Sequence, residues 1–232
     1  MPPPPHARRR TRLLSELLGT YLLVLVGPGT AAAVALSGGV PSFEAFLIIG
    51  FAFAAIVTTL ILILGKTSGA HIDPAITIAH TIAGKTERAM LVPYVVFQIV
   101  GALLGGFTLR LIFSPFGLPG DLGTTKLASG VSVPAGILLE TGGTFVLAMS
   151  GFIASSRIHN KPGEGLLVAV TLFIIIQVLG PLTNASLNPA RSLGPAVASG
   201  YLTNLYVYWI GPPAGGLIAG LVFRFSERPR LG

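Results

Sequence analysis

The chain has 232 residues, of which 52% are hydrophobic and only 10% charged, and its mean hydropathy is +0.80. A soluble domain covers its surface with roughly 25% charged residues, so this composition excludes an ordinary soluble enzyme or binding module and reads as a membrane protein. No cysteine is present and the four histidines lack metal-ligand spacing, which removes disulfide and thiolate frameworks and leaves no metal or other cofactor to expect.

In chain order, residues 1–12 carry Pro2 to Pro5 and Arg8-Arg9-Arg10, a basic tail with no packing surface that is expected to be disordered on the cytoplasmic side. Six apolar stretches follow, at about 13–35, 43–65, 90–113, 133–155, 164–182 and 203–226, each close to the ~20 residues that a helix needs to cross hydrocarbon. The first is too long for a cleavable signal peptide and merges into a span without a clear cleavage region. Residues 227–232 form a second cytoplasmic tail.

With the N-terminus inside, Arg8, Arg9, Arg10, Arg12, Lys66, Lys85, Arg88, Arg157, Lys161, Arg224, Arg228 and Arg230 fall on the cytoplasmic side, and only Arg110, Lys126 and Arg191 outside. This asymmetry places both termini in the cytoplasm. It also accounts for the net charge of +7 without nucleic acid, which would require a basic face on a folded soluble domain.

The two halves repeat. Glu16-Leu17-Leu18-Gly19-Thr20-Tyr21 in the first span is echoed by Glu140-Thr141-Gly142-Gly143-Thr144-Phe145 in the fourth. Ser68-Gly69-Ala70-His71-Ile72-Asp73-Pro74-Ala75 is echoed 115 residues later by Thr183-Asn184-Ala185-Ser186-Leu187-Asn188-Pro189-Ala190-Arg191. In each motif an Asp or Asn precedes a proline, the pairing of a favoured N-cap with a residue that has no N–H to lose in the first helical turn. The helices so opened, 74–82 and 189–198, are too short to span. An odd number of spans per half makes the repeat inverted: a first repeat over 13–113, an external connecting loop at 114–132 and a second repeat over 133–226. Two half-helices entering from opposite faces would bring their N-termini together at mid-membrane, each with about half a positive charge.

Glu16 and Glu140 lie inside spans, where carboxylates are costly and functional. One reading makes them acceptors for loop backbone that would otherwise be orphaned. The other is a proton relay, for which one glutamate per half supplies no chain of partners. Gly101 with Gly105, Gly211 with Gly215 and Gly216 with Gly220 repeat at four-residue spacing, which favours close helix approach in lipid.

Glu16 with Thr20, Ser68-Gly69-Ala70-His71, Gln98 before Gly101-Ala102, Glu140 with Thr144, Asn188-Pro189-Ala190-Arg191-Ser192 and Gly211-Pro212 together resemble the aquaporin, or major intrinsic protein, family. The resemblance covers essentially residues 10 to 226. It implies an all-α membrane protein with a right-handed bundle of six transmembrane helices and two re-entrant half-helices, one pore per subunit, and a homotetramer in the plasma or inner membrane. It carries the pore motifs onto Asp73, Pro74, Ala75, Asn188, Pro189 and Ala190, and loop support onto Glu16, Glu140 and His71. The family's selectivity ring is counted from these motifs to Phe53, Ile176, Ala185 and Arg191.

Such an arginine supplies fixed donors and a positive barrier to cations. The ring resembles neither strictly water-selective members, which usually have histidine where Ile176 stands, nor glycerol facilitators, which usually have tryptophan where Phe53 stands. Ser192, Ala196 and Tyr208-Trp209 lean toward the water branch. The resemblance therefore implies passive water transport with small uncharged solutes as further cargo, no enzymatic activity, and exclusion of protons and ions. The alternatives are a glycerol or metalloid facilitator and, from a different class, an ion-coupled transporter using Asp73. The clearest departure is Asp73, where the family has asparagine: a carboxylate caps a helix but offers only acceptors. Whether it alters the central solute contact or simply replaces one cap by another stays open here.

Overall fold

The computed structural model describes residues 9–39 and 42–227, and all regular structure among these is helical. The long helices are α1 (Arg9–Leu36), α2 (Phe43–Leu64), α4 (Leu91–Phe113), α5 (Val133–Arg157), α6 (Lys161–Thr183) and α8 (Val207–Ser226), and the short ones are α3 (Pro74–Ile82) and α7 (Pro189–Ser199). The expected disordered tail lies outside the described residues at 1–8, as do Arg228 and Arg230. Its last four residues differ from expectation, because Arg9 to Arg12 form the first turn of α1. Arg12 is held there by bonds donated from Nε to the Tyr94 hydroxyl and from Nη1 to Glu87, each at 3.0 Å.

Local chemistry sets the helix starts. Ser42, Ser132 and Asn160 accept the N–H of Ala45, Ala135 and Gly163, and proline occupies the first turn of α5 and α6 as well as of α3 and α7. Such caps satisfy donors that a helix leaves unpaired. α6 and α7 end in left-handed residues, Asn184 at φ 59° and Gly200 at φ 83°.

Five helical stretches are long and apolar enough to cross a membrane: α1, α2, α4 with its flanking turns, α5 and α6. α8 has 20 residues, but its glycines, the Pro212-Pro213 pair and Arg224 dilute the apolar run, and it falls outside that group. Burial is reversed from that of a soluble protein. Phe51, Leu111 and Leu138 stand at least 70% exposed, whereas Glu16, Thr20, Gln98, Glu140 and Thr144 are fully buried. An apolar exterior around polar interior groups is stable only against lipid.

Packing repeats between the halves. α1 lies on α4 and α5 on α8, α2 meets α6, and each short helix docks on the other half, α3 on α8 and α7 on α4. Glycine makes these contacts possible. A methyl at Gly101 would fall 2.2 Å from the Leu17 carbonyl oxygen, and one at Gly215 would fall 2.2 Å from that of Thr141. Gly216 and Gly220 take the α3 backbone in the same way, at 2.3 Å from Ala75 O and 2.5 Å from Ala79 O. These distances belong to backbone-to-backbone packing of the kind small residues permit in membranes.

Candidate functional site

The two motif loops have the same backbone. Gly69, Ala70 and Ile72 have φ of 94°, 49° and 48°, and their counterparts Asn184, Ala185 and Leu187 have 59°, 43° and 57°. Left-handed conformation costs a non-glycine residue about 1–2 kcal/mol, so these five residues need external support. The buried glutamates give it. Glu16 accepts the N–H of His71 at 3.0 Å and of Ile72 at 2.6 Å, and Glu140 accepts those of Ser186 at 2.9 Å and Leu187 at 2.7 Å. A carboxylate on two successive N–H groups fixes the turn between them and satisfies its own charge.

Further bonds complete each cradle. Gln98 Nε2 donates to Glu16 and to Thr77 Oγ1 at 2.8 and 2.9 Å, and the Thr183 hydroxyl donates to Glu140 at 2.6 Å. His71 adds its ring, with Nδ1 3.2 Å from Thr77 Oγ1 and Nε2 3.4 Å from Thr86 Oγ1. Tyr94, missed in the sequence, and Tyr208, read there only as a branch marker, donate their hydroxyls to the carbonyls of Ser68 at 2.8 Å and Thr183 at 2.9 Å, at equivalent places in the two halves. Their equal distance from Gly101 and Gly215 was the available signal.

Pro74-Ala75 and Pro189-Ala190 open α3 and α7, and the caps differ. Asp73 Oδ1 accepts the Ala75 N–H at 2.7 Å. Asn188 Oδ1 accepts the Arg191 N–H at 3.0 Å while its Nδ2 donates to Ile72 O at 2.9 Å. That second bond ties the two motifs together, so the helix starts do converge.

Arg191 is 3% exposed. Its Nη1 donates to Gly123 O at 2.9 Å, its guanidinium lies 5.2 Å from the centre of the Phe53 ring, and its Nε has no partner. Among the described residues no carboxylate forms a salt bridge with it. Two cavities run through the interior. One is lined by His71, Asp73, His80, Ala185 and Asn188, the other by Phe46, Thr124, Lys126 and Ile176, and Phe53 with Arg191 line both. Phe53 and Arg191 therefore stand where the cavities adjoin, with Ala185 on one side and Ile176 on the other.

Gly123 was also missed. It ends a segment in which Leu118, Gly120, Asp121 and Leu122 are left-handed, with φ of 54°, 57°, 47° and 59°. This loop is bound to the second motif by the bond from Lys126 N to Asn184 Oδ1 at 2.8 Å and by the 2.8 Å contact of Thr125 and Ser192 hydroxyls. The Lys126 ammonium pairs with Asp121 and stands 4.4 Å above the Tyr201 ring.

An apolar helical bundle enclosing two largely apolar cavities that adjoin at one cation and one aromatic ring has the build of a membrane channel. The chain belongs to the major intrinsic protein family, whose model matches residues 6–223 and whose members are channels rather than enzymes. It is similar to the probable aquaporin AqpM of Archaeoglobus fulgidus, at 34% identity covering 94% of this chain and 97% of the relative. A probable aquaporin of Arabidopsis thaliana, NIP4-2, is 33% identical over 94% of this chain and 76% of its own length. Glycerol uptake facilitator protein-like 6 of Lactiplantibacillus plantarum is 36% identical over 92% and 96%. In fold, the chain is similar to the X-ray structure of the aquaglyceroporin from Plasmodium falciparum, with TM-score 0.79 and 21% identity over 93% and 94% of the two chains.

Proposed function

We propose that this protein is a passive water channel that also admits small uncharged solutes and excludes protons and ions. One observation carries the reading: the unpaired, buried Arg191 faces Phe53 where the two cavities adjoin. A solute there meets N–H donors on one wall and an aromatic face on the other. A bare cation meets a fixed positive charge. Phe53, Ile176, Ala185 and Arg191 form the selectivity ring, and Ile176 and Ala185 leave it wider and more apolar than a strict water filter. Asp73 and Asn188 stand at the pore centre, and Glu16, Glu140 and His71 hold the loops that carry them.

In this reading α8 is the sixth span, α3 and α7 are re-entrant half-helices of an inverted repeat, and 114–132 covers the external mouth. Both termini are cytoplasmic in the cell membrane, and four copies assemble, each with its own pore. A second reading, a glycerol or metalloid facilitator with little water selectivity, is favoured by the apolar Ile176 position and by the facilitator-like relative. Stopped-flow light scattering on proteoliposomes under matched gradients separates them. Water permeability well above empty vesicles, with low activation energy and no saturation, supports the first reading. Glycerol flux without a water signal supports the second, and saturable, gradient-coupled uptake would overturn both in favour of a transporter.

A further inference from the structure

Gly27 and Pro28, in the middle of α1, line neither cavity, yet both walls of the narrow place rest on them. A methyl at Gly27 would fall 2.3 Å from Cε1 and Cζ of Phe53, so the Phe53 ring lies directly against the α1 backbone. The Arg191 guanidinium lies 5.2 Å from the centre of the same ring. One residue on, Gly123 at φ 71° is packed so closely that a methyl on it would fall 2.5 Å from Pro28 O, and the Gly123 carbonyl is the one that holds Arg191 Nη1.

We propose that Gly27 is a specificity-determining residue outside the lumen, which sets how far Phe53 stands back from Arg191 and so the largest solute that passes. The inference rests on the reading of Phe53 and Arg191 as the constriction. A glycine inside a helix costs about 1 kcal/mol relative to alanine, so its presence here runs against helix propensity. A methyl at this point needs roughly 1 Å of relief to regain ordinary carbon contact distance. The backbone of α1 cannot provide it, since Leu17 and Val24 are pressed against Gly101 and Gly105 of α4. The Phe53 ring must yield instead, and the room open to it is the cavity space that it lines together with Arg191.

The test compares permeability to formamide, urea and glycerol with that to water in proteoliposomes normalised for reconstituted protein. Gly27→Ala should lower the ratio for the largest solute that wild type passes by about tenfold, the scale of one methylene in a fitted pocket, while water flux stays within about threefold. Gly29→Ala is the control: its methyl would meet Leu109 Cδ2 at 3.0 Å, away from the constriction, and should leave the ratio unchanged. Phe53→Leu should raise the ratio, and adding Gly27→Ala to it should have no further effect, because the shorter side chain leaves room for the methyl.

A wild-type ratio in Gly27→Ala, an equal fall in Gly29→Ala, or a difference between Phe53→Leu and the double variant would each overturn the proposal. If Gly27→Ala alone does not fold, its recovery by Phe53→Leu supports the proposal and failure of both overturns it. The underlying reading is tested separately, since a Phe53→Leu protein with unchanged solute ratios removes Phe53 from the constriction whatever Gly27 does.

Discussion

Replacing Glu140 by glutamine isolates what the buried carboxylates contribute. Oε1 of Glu140 accepts from Ser186 N and Thr183 Oγ1, and Oε2 accepts from Leu187 N at 2.7 Å. Glutamine keeps one acceptor oxygen and converts the other into a donor. If the amide takes the place of Oε2, its N–H₂ faces the Leu187 N–H donor to donor. A charge-assisted bond worth about 1.5–3 kcal/mol is lost and an N–H is left unpaired at about 1–3 kcal/mol. These overlap, since both describe the same pair, and a net cost of about 3 kcal/mol is expected. At about 2–4 °C per kcal/mol for a chain of this size, the melting temperature of detergent-solubilised Glu140→Gln should fall by about 6–12 °C. Water permeability should fall with it, because Leu187 at φ 57° relaxes once released. A variant that melts within about 1 °C of wild type with unchanged water flux would refute the cradle argument. A variant that keeps its stability and loses proton flux would make Glu140 a relay instead.

Arg191→Val removes the barrier and the Gly123 contact together, and urea and glycerol permeability should rise about tenfold with a proton or cation leak visible to a pH-sensitive dye; wild-type selectivity would remove Arg191 from the filter. Asp73→Asn should leave proton leak at the vesicle background, as in wild type; a large wild-type leak abolished by the substitution would sink the claim of exclusion. Tyr208→Phe deletes one bond to the Thr183 carbonyl, with an expected cost of about 1 kcal/mol and a melting shift of about 2–4 °C. Tyr94→Phe deletes both the bond to the Ser68 carbonyl and the one accepted from Arg12, so a larger shift is expected, and the difference between the two variants measures what Arg12 adds to the first half.

The starts of α3 and α7 were legible because a cap and a proline act within three residues, as Asp73-Pro74 and Asn188-Pro189 do. The apolar runs were legible for the same reason, that hydropathy is a local sum. Where local sums conflict with tertiary contacts the reading failed. The basic first turn of α1 was assigned to the tail because Arg9 to Arg12 are polar, while Tyr94 and Glu87, which hold Arg12, are about 80 residues away. The left-handed run through Leu118, Asp121 and Leu122 contradicts the intrinsic preference of leucine, though aspartate tolerates that conformation. Gly117, Gly120 and Gly123 mark a turn there, but only packing on α1, with Gly120 against Ala35 and Gly123 against Pro28, fixes its hand. The position of Gly123 O beneath Arg191 was therefore beyond any count from the motifs.

The two halves share one backbone but not one set of bonds, and Asp73 is where they part. Asn188 spends its amide on Ile72 O, the carbonyl just before the opposite cap. The symmetric acceptor is Leu187 O, and Asp73 has no donor to offer it as a carboxylate. That carbonyl is instead covered by the Thr144 hydroxyl at 3.4 Å, whereas the equivalent Thr20 hydroxyl bonds within its own helix to Glu16 O at 2.8 Å. A single change from amide to carboxyl thus removes one of two reciprocal ties between the motifs, and a threonine of the neighbouring helix makes a longer bond to the vacated acceptor. Both loops keep their glutamate cradles, so the backbone holds its shape while the direct side-chain tie between the motifs runs from Asn188 alone.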